Sequence, residues 1–160
     1  MILVRRASVE DLEIVKRVYT HESIFDRIND DGITDPEKVD FSQALSNTNV
    51  FFLIAEDEHC DIVGVFLFHP WNTVCYEMHS AVLPEYRGEG SIEAARMAGM
   101  WMFGNTMCQK IVTQIAVTNY AARTLARVGG MVKIGNNDRS FLKNGKLIDQ
   151  HIYGICKEDV

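Results

Sequence analysis

The run Val-Leu-Pro-Glu-Tyr-Arg-Gly-Glu-Gly-Ser-Ile at residues 82–92 constrains this chain more than any other segment. It follows a strand-like stretch, Thr73 to Val82, and leads into a helical stretch that starts near Ser91. Amides at a helix start lack intrahelical acceptors and carry the positive end of the helix dipole, so they bind phosphates. Gly88 and Gly90 allow a ligand to approach the backbone closely, and Arg87 adds fixed positive charge. Strand, glycine loop and helix in that order predict a turn that holds a pyrophosphate. An ordinary strand–helix turn also uses glycine, and a lone Gly-x-Gly is weak evidence. The rest of the chain must supply the context.

With 160 residues, one domain spanning 1–160 is expected, long enough to bury roughly 70% of its unfolded surface. The formal net charge of −6 argues against nucleic acid or an anionic membrane as general partner. Phosphate must then be held by local backbone geometry. No apolar run approaches the ~20 residues of a membrane span, and the opening Met-Ile-Leu-Val-Arg-Arg lacks a signal-peptide layout. Cys60, Cys75, Cys108 and Cys156 show neither zinc-ligand nor Cys-x-x-Cys spacing. The expectation is a reducing, cytoplasmic compartment and no metal site.

Turn chemistry and apolar spacing divide the chain. Ile2 to Arg5 reads as a strand. Ser8 with Asp11 reads as a capping box, with Asp in place of Glu or Gln, before a helix through Val9, Leu12, Val15 and Val18. Helices are also expected at His21 to Ile28, Asp40 to Ser46, Ser91 to Phe103 and Asn119 to Val128. Phe51 to Ala55, Ile62 to Phe68, Thr73 to Val82, Lys110 to Val117, Met131 to Ile134 and Ile148 to Ile155 read as strands. Residues 69–72 read as a turn, and 141–146 as the link between the last two strands. This order predicts an α/β fold with a mixed, largely antiparallel sheet of six to seven strands and helices on both faces. A right-handed crossover through the helix after Ser91 makes the strands ending at Val82 and starting at Lys110 parallel.

With that order in place, the chain resembles the GNAT superfamily of acyl-CoA-dependent N-acyltransferases. Val82-x-Pro84-Glu85-Tyr86-Arg87-Gly88-x-Gly90 resembles the family's acetyl-CoA pyrophosphate loop. Asn119-x-x-Ala122-x-x-Leu125 with the downstream Gly130-Met131 resembles its Asn-headed helix. The tail from Asn144 to Gly154 is similar to the last strand of members that acylate protein N-termini. A narrower similarity is to small acyltransferase-like proteins of tailed phages. The resemblance implies an N-acetyltransferase using acetyl-CoA as cosubstrate and an amine-bearing acceptor, protein or small molecule, acting as monomer or homodimer. Backbone groups around Ala81 and Val82 would meet the thioester and pantetheine. The amides of Arg87, Gly88, Glu89, Gly90, Ser91 and Ile92 would hold the pyrophosphate, and the Asn119 side chain would contact the pantetheine. The strands ending at Val82 and starting at Lys110 would splay to admit it.

Several residues depart from the family pattern. Ile92 replaces the usual Gly or Ala. Glu89 and Glu93 oppose phosphate unless turned outward. Ala126 stands where a thiolate-protonating Tyr is usual, and Gln114 where some members carry a base. Ala126, Gln114 and Ile92 favour a non-catalytic protein of the same fold, binding CoA or a macromolecular partner.

Amine acylation needs a neutral amine, a polarised carbonyl and a protonated leaving sulfur. Period-two alternation puts Cys75, Glu77 and His79 on one strand face. Glu77 is the first candidate base and His79 the second, against readings in which Glu77 pairs with a cross-strand cation and His79 is a satisfied core or edge residue. Tyr120 and Tyr86 are the nearest phenols for a leaving-group acid, though packing accounts for both. A thiol pKa of about 8.5 also lets sulfur leave unassisted. The carboxylates between His21 and Asp40 would attract a cationic amine or simply be solvated, and the methionines between Met97 and Met107 read as core.

Overall fold

Phe52, Leu53, Ile54, Val63, Val65, Phe66 and Phe68 are almost entirely buried, on two neighbouring strands covered on both faces. This is why the two strands read as continuous apolar runs rather than alternating ones. Burying each such side chain contributes about 1.5–3 kcal/mol. The computed structural model describes residues 1–160. Its seven strands are β1 (Leu3–Arg6), β2 (Phe51–Glu56), β3 (Ile62–Pro70), β4 (Cys75–Val82), β5 (Lys110–Ala116), β6 (Val132–Lys143) and β7 (Lys146–Cys156). They form one sheet in the order β1-β2-β3-β4-β5-β7-β6. Every neighbouring pair is antiparallel except β4 with β5.

The helices are α1 (Leu12–Tyr19), α2 (Glu22–Ile28), α3 (Ser42–Ser46), α4 (Glu89–Asn105) and α5 (Tyr120–Val128). The expected capping box is present ahead of α1: the Ser8 hydroxyl accepts from the Glu10 amide, and the Asp11 carboxylate accepts from the Ser8 amide. Val15, Val18 and Ile24 of α1 and α2 pack with Phe52, Ile54, Val65 and Ala81 on one face of the sheet. Ala94, Ala98 and Met102 of α4 pack with Leu53, Phe66, Met78 and Ile111 on the other. Helices thus cover both faces, as the element order predicts.

Some element boundaries expected from the sequence need correction. The turn expected at 69–72 begins later, because β3 runs through His69 and Pro70, which pair with Glu77 and Tyr76. The strand expected over Met131 to Ile134 continues to Lys143. Its polar middle, Gly135 to Ser140, reads as loop, but β6 is the sheet edge and packs little. It stays paired to β7 across two register shifts, with Arg139 at φ 51°. The hairpin closes at Asn144 and Gly145, both at positive φ (52° and 71°), the pair that a two-residue type I′ turn prefers.

Candidate active site

The parallel pairing of β4 with β5 lasts three positions: Cys75 with Lys110, Tyr76 with Ile111 and Glu77 with Val112. Beyond Glu77 the two strands part. The phase of the β4 ladder is fixed at both ends. Leu83 N–H donates to Val63 O at 3.0 Å, while Val74 O accepts from Gln109 and Lys110 on the β5 side. Main-chain groups alternate between neighbours along an antiparallel strand. Those of Met78, Ser80 and Val82 therefore face the gap, and those of Ala81 pair with Val65 on β3.

The gap opens into a cavity of about 440 Å³. Ala95, Gly99 and Phe103 of α4 and Ala122, Leu125 and Ala126 of α5 line it from one face of the sheet. Arg27, Ile28, Phe141 and Gln150 line it from the other. One cavity therefore passes through the sheet at the parting of β4 and β5, with Glu77, His79, Thr113 and Gln114 at its waist.

Glu77 is 5% exposed. Burying a carboxylate is costly without donors. Trp71 Nε1–H donates to its Oε2 at 2.7 Å, and Gln114 Nε2–H makes long contacts of 3.4 and 3.5 Å with its two oxygens. Asn137 Nδ2–H donates to Gln114 Oε1 at 2.7 Å, which turns the Gln114 amino group toward Glu77. Gln114 on β5 thus serves as a donor to the carboxylate on β4. No cross-strand Lys or Arg pairs with Glu77. The basic side chains nearest to it are imidazoles: His69 Nε2 and His79 Nε2 lie 3.8 Å from Oε2 and Oε1.

Local sequence spacing does not mark His69 as a site residue. It sits directly opposite Glu77 in the β3–β4 register, and His79 follows Glu77 by two on the same face. The two imidazole Nε2 atoms are 2.9 Å apart. Desolvation lowers the His79 pKa, the Glu77 carboxylate opposes that, and His69 reinforces it.

The glycine loop forms as anticipated, with α4 starting at Glu89 rather than near Ser91. Gly88 precedes it at φ 95°, a conformation that favours glycine, and the space a side chain would take there is open. The amides of Gly88, Glu89, Gly90 and Ser91 meet no protein acceptor. Ser91 is buried, and its hydroxyl donates to Gly88 O at 2.7 Å instead of accepting from an amide. Of the outer amides, Arg87 N–H donates to Pro84 O and Ile92 N–H to Gly88 O. The Arg87 guanidinium reaches Ser23 O and Oγ on α2, at 3.3 and 3.1 Å. Glu93 is turned away and accepts from the Ile2 amide at 3.1 Å; Glu89 is exposed.

Asn119 caps α5. Its Oδ1 accepts from the Ala122 amide at 3.2 Å, and the residue lines the cavity. Tyr120 is 73% exposed, lies against Arg123 and takes no part in the lining. Tyr86 O–H donates to Asp57 at 3.0 Å. Neither phenol reaches the waist of the cavity. The cysteines offer no activated nucleophile there: burial raises the Cys75 thiol and pushes Cys108 up to about 11.

A seven-stranded sheet that parts between a parallel central pair, with helices on both faces, defines the acyl-CoA N-acyltransferase fold. Solved structures agree. Spermidine N-acetyltransferase from Vibrio cholerae, crystallised with CoA and spermine, superposes with a TM-score of 0.83 at 18% identity, over 99% of this chain and 96% of its own. A ribosomal-protein-S5-alanine acetyltransferase from Vibrio fischeri gives 0.75 at 17% identity, over 99% and 94%. Residues 28–160 match the family described as protein of unknown function (DUF2824), and the chain belongs to that family. A comparison with curated proteins gives no match. No helix is long and apolar enough to cross a membrane.

Proposed function

We propose that the protein transfers an acetyl group from acetyl-CoA to an amine. The observation that carries this reading is the cavity through the sheet, because it gives a thioester and an amine access to one point from opposite faces. The residues present fit CoA. The free amides of Gly88 to Ser91 suit a diphosphate. The unpaired main-chain groups of Ser80 and Val82 suit the amide-bearing pantetheine arm, with Asn119 Nδ2 beside its path. Arg87 acts at the rim, anchored to α2.

Acetyl-CoA supplies the acyl group as a thioester. Glu77, directly or through water, takes a proton from an incoming ammonium, with His79 and His69 as the route to solvent. The neutral nitrogen then bonds to the carbonyl carbon, the carbon–sulfur bond breaks, and the second nitrogen proton leaves as the amide forms. Sulfur departs as thiolate or takes a proton from water, since Tyr120 lies outside the cavity. The spermidine and ribosomal-protein enzymes of the same fold act on amines, which supports an amine acceptor here.

The competing reading is a CoA-binding protein without turnover, favoured by Ala126 in the cavity wall and Gln114 beside Glu77. Two measurements separate the readings. Acetyl-CoA is expected to raise the melting temperature, as any ligand selective for the native state does, and Arg87→Glu is expected to abolish that shift. Thiol release with a panel of amines is expected for the wild type, and Glu77→Gln should reduce it about 100-fold or more while keeping the melting shift. A shift with no thiol release from any amine would establish the binding protein instead.

A further inference from the structure

We propose that His69, Glu77 and His79 form a binding site for a divalent transition-metal ion, zinc above all. The three side chains come from one hairpin. His69 on β3 pairs with Glu77 on β4, and His79 follows at the next position on that face. Their ligand atoms all lie within 4.8 Å of one another. The linear sequence hides this grouping, because the spacing His-x7-Glu-x-His matches no familiar zinc pattern and depends on the register of a turn.

The distances are close to those a bound ion needs. A tetrahedral zinc with bonds near 2.0–2.1 Å separates its ligands by about 3.3 Å. Here the two Nε2 atoms are 2.9 Å apart, and each lies 3.8 Å from a different oxygen of Glu77. Spreading the imidazoles by a few tenths of an ångström and drawing the carboxylate inward converts one set into the other. With both rings neutral, the 2.9 Å pair shares one proton, and moving that proton to Nδ1 leaves both Nε2 lone pairs free for an ion. The Oε1 atom of Glu77 has only the long Gln114 contact.

The surroundings favour a metal as well. Trp71 Nε1–H holds Oε2 at 2.7 Å, the kind of outer partner that orients a ligating carboxylate. The side chains of His69 and His79 are 38% and 44% exposed, which leaves an entry path, while that of Glu77 is 7% exposed and forms the floor. Two imidazoles and a carboxylate suit zinc, and leave one position for water or another ligand on the cavity side. Magnesium and calcium prefer oxygen donors. An ion at this point occupies the lone pairs that the acetyl-transfer reading gives to the amine proton. Zinc is therefore inhibitory, a consequence that rests on that reading, whereas the site itself does not.

The test is calorimetric titration of untagged, full-length protein with zinc chloride, without acetyl-CoA. One equivalent is expected to bind. His69→Ala and His79→Ala should each weaken it about tenfold or more, since losing a direct ligand costs no less than losing an outer one. Cobalt should give the intense visible absorption of a four-coordinate ion, and magnesium no heat. In the unmodified protein, zinc should shift the imidazole carbon–proton NMR signals of His69 and His79 and leave those of His21, His59 and His151 in place. That measurement stands even if a variant fails to fold. Absence of zinc binding, undiminished binding when His69 and His79 are both replaced by alanine, or shifts confined to the other three histidines would overturn the site. Zinc binding without loss of thiol release would leave the site standing and remove its inhibitory consequence.

Discussion

Gly64 carries no side chain because none fits. It faces Val82 across the β3–β4 ladder. A Cβ there would lie 2.5 Å from the Ala81 carbonyl oxygen and 3.0 Å from Val82 Cα. Both are backbone atoms and cannot rotate aside, so β4 itself would have to move, on the stretch whose free main-chain groups border the gap. Gly64→Ala is expected to destabilise the fold by about 1–3 kcal/mol, as overpacking does, measured by urea denaturation. The acetyl-CoA melting shift should shrink with it. Gly104→Ala is the contrast. An added Cβ at that position in α4 meets nothing within 4 Å, so the variant should gain about 0.5 kcal/mol from lost chain entropy. Equal effects at the two positions would mean that the close approach at Gly64 is not a constraint.

Between elements, the tip of the β6–β7 hairpin is fastened to the segment after α2. Asp31 N–H donates to Leu142 O at 3.0 Å, and the Asp31 carboxylate accepts from the amides of Asn144 and Gly145 at 2.9 and 2.8 Å. Lys143 Nζ donates to Asp26 Oδ1 at 2.9 Å and to Asn29 O at 3.1 Å. These contacts position Arg27, Ile28 and Phe141 at the second mouth of the cavity. They also answer for much of the acidity between His21 and Asp40. Asp26 and Asp31 hold the hairpin, and Asp30, Asp35 and Asp40 each accept from an amide two residues on. The Gly145 amide first, then that of Asn144, holds the Asp31 carboxyl below its ordinary value. A carboxylate depressed in the folded state adds stability above its unfolded pKa and loses it as pH falls through the folded one. Asp31→Asn should therefore lower the melting temperature by a constant amount between about pH 5 and 7, with the difference closing below about pH 4. A difference independent of pH would show that the charge contributes nothing. The sequence carried the signal for this hairpin in Asn144-Gly145, a strong two-residue turn. The polar run from Gly135 to Ser140 masked how far β6 extends, because an edge strand need not alternate. The glycine loop and the faces of β4 were legible because each depends on local spacing. His69 beside Glu77 was not, because it depends on where the preceding turn ends.

At the scale of the molecule, the sheet is two half-sheets, β1 to β4 and β5 to β7, joined by three ladder positions. Helix α4 spans the join. Its Ala94, Ala98 and Met102 share one core with Leu53 and Phe66 of the first half and Ile111, Ile115 and Tyr153 of the second. The free amides sit at the start of that same helix, so a ligand held there and between β4 and β5 bridges both halves through contacts the free protein lacks. Such a ligand should slow local opening where it spans the gap and leave distant edges alone. Hydrogen exchange read by mass spectrometry, with and without acetyl-CoA, is expected to show protection in peptides covering 78–92 and 112–122, on both sides of the join. Peptides from β1 and from the outer stretch 135–140 of β6 should exchange as before. Protection confined to 88–92 would place the diphosphate at the loop and the acyl arm outside the gap, and protection equal in β1 and β6 would reflect general stabilisation. Either pattern would remove the cavity through the sheet as the route by which a thioester reaches Glu77.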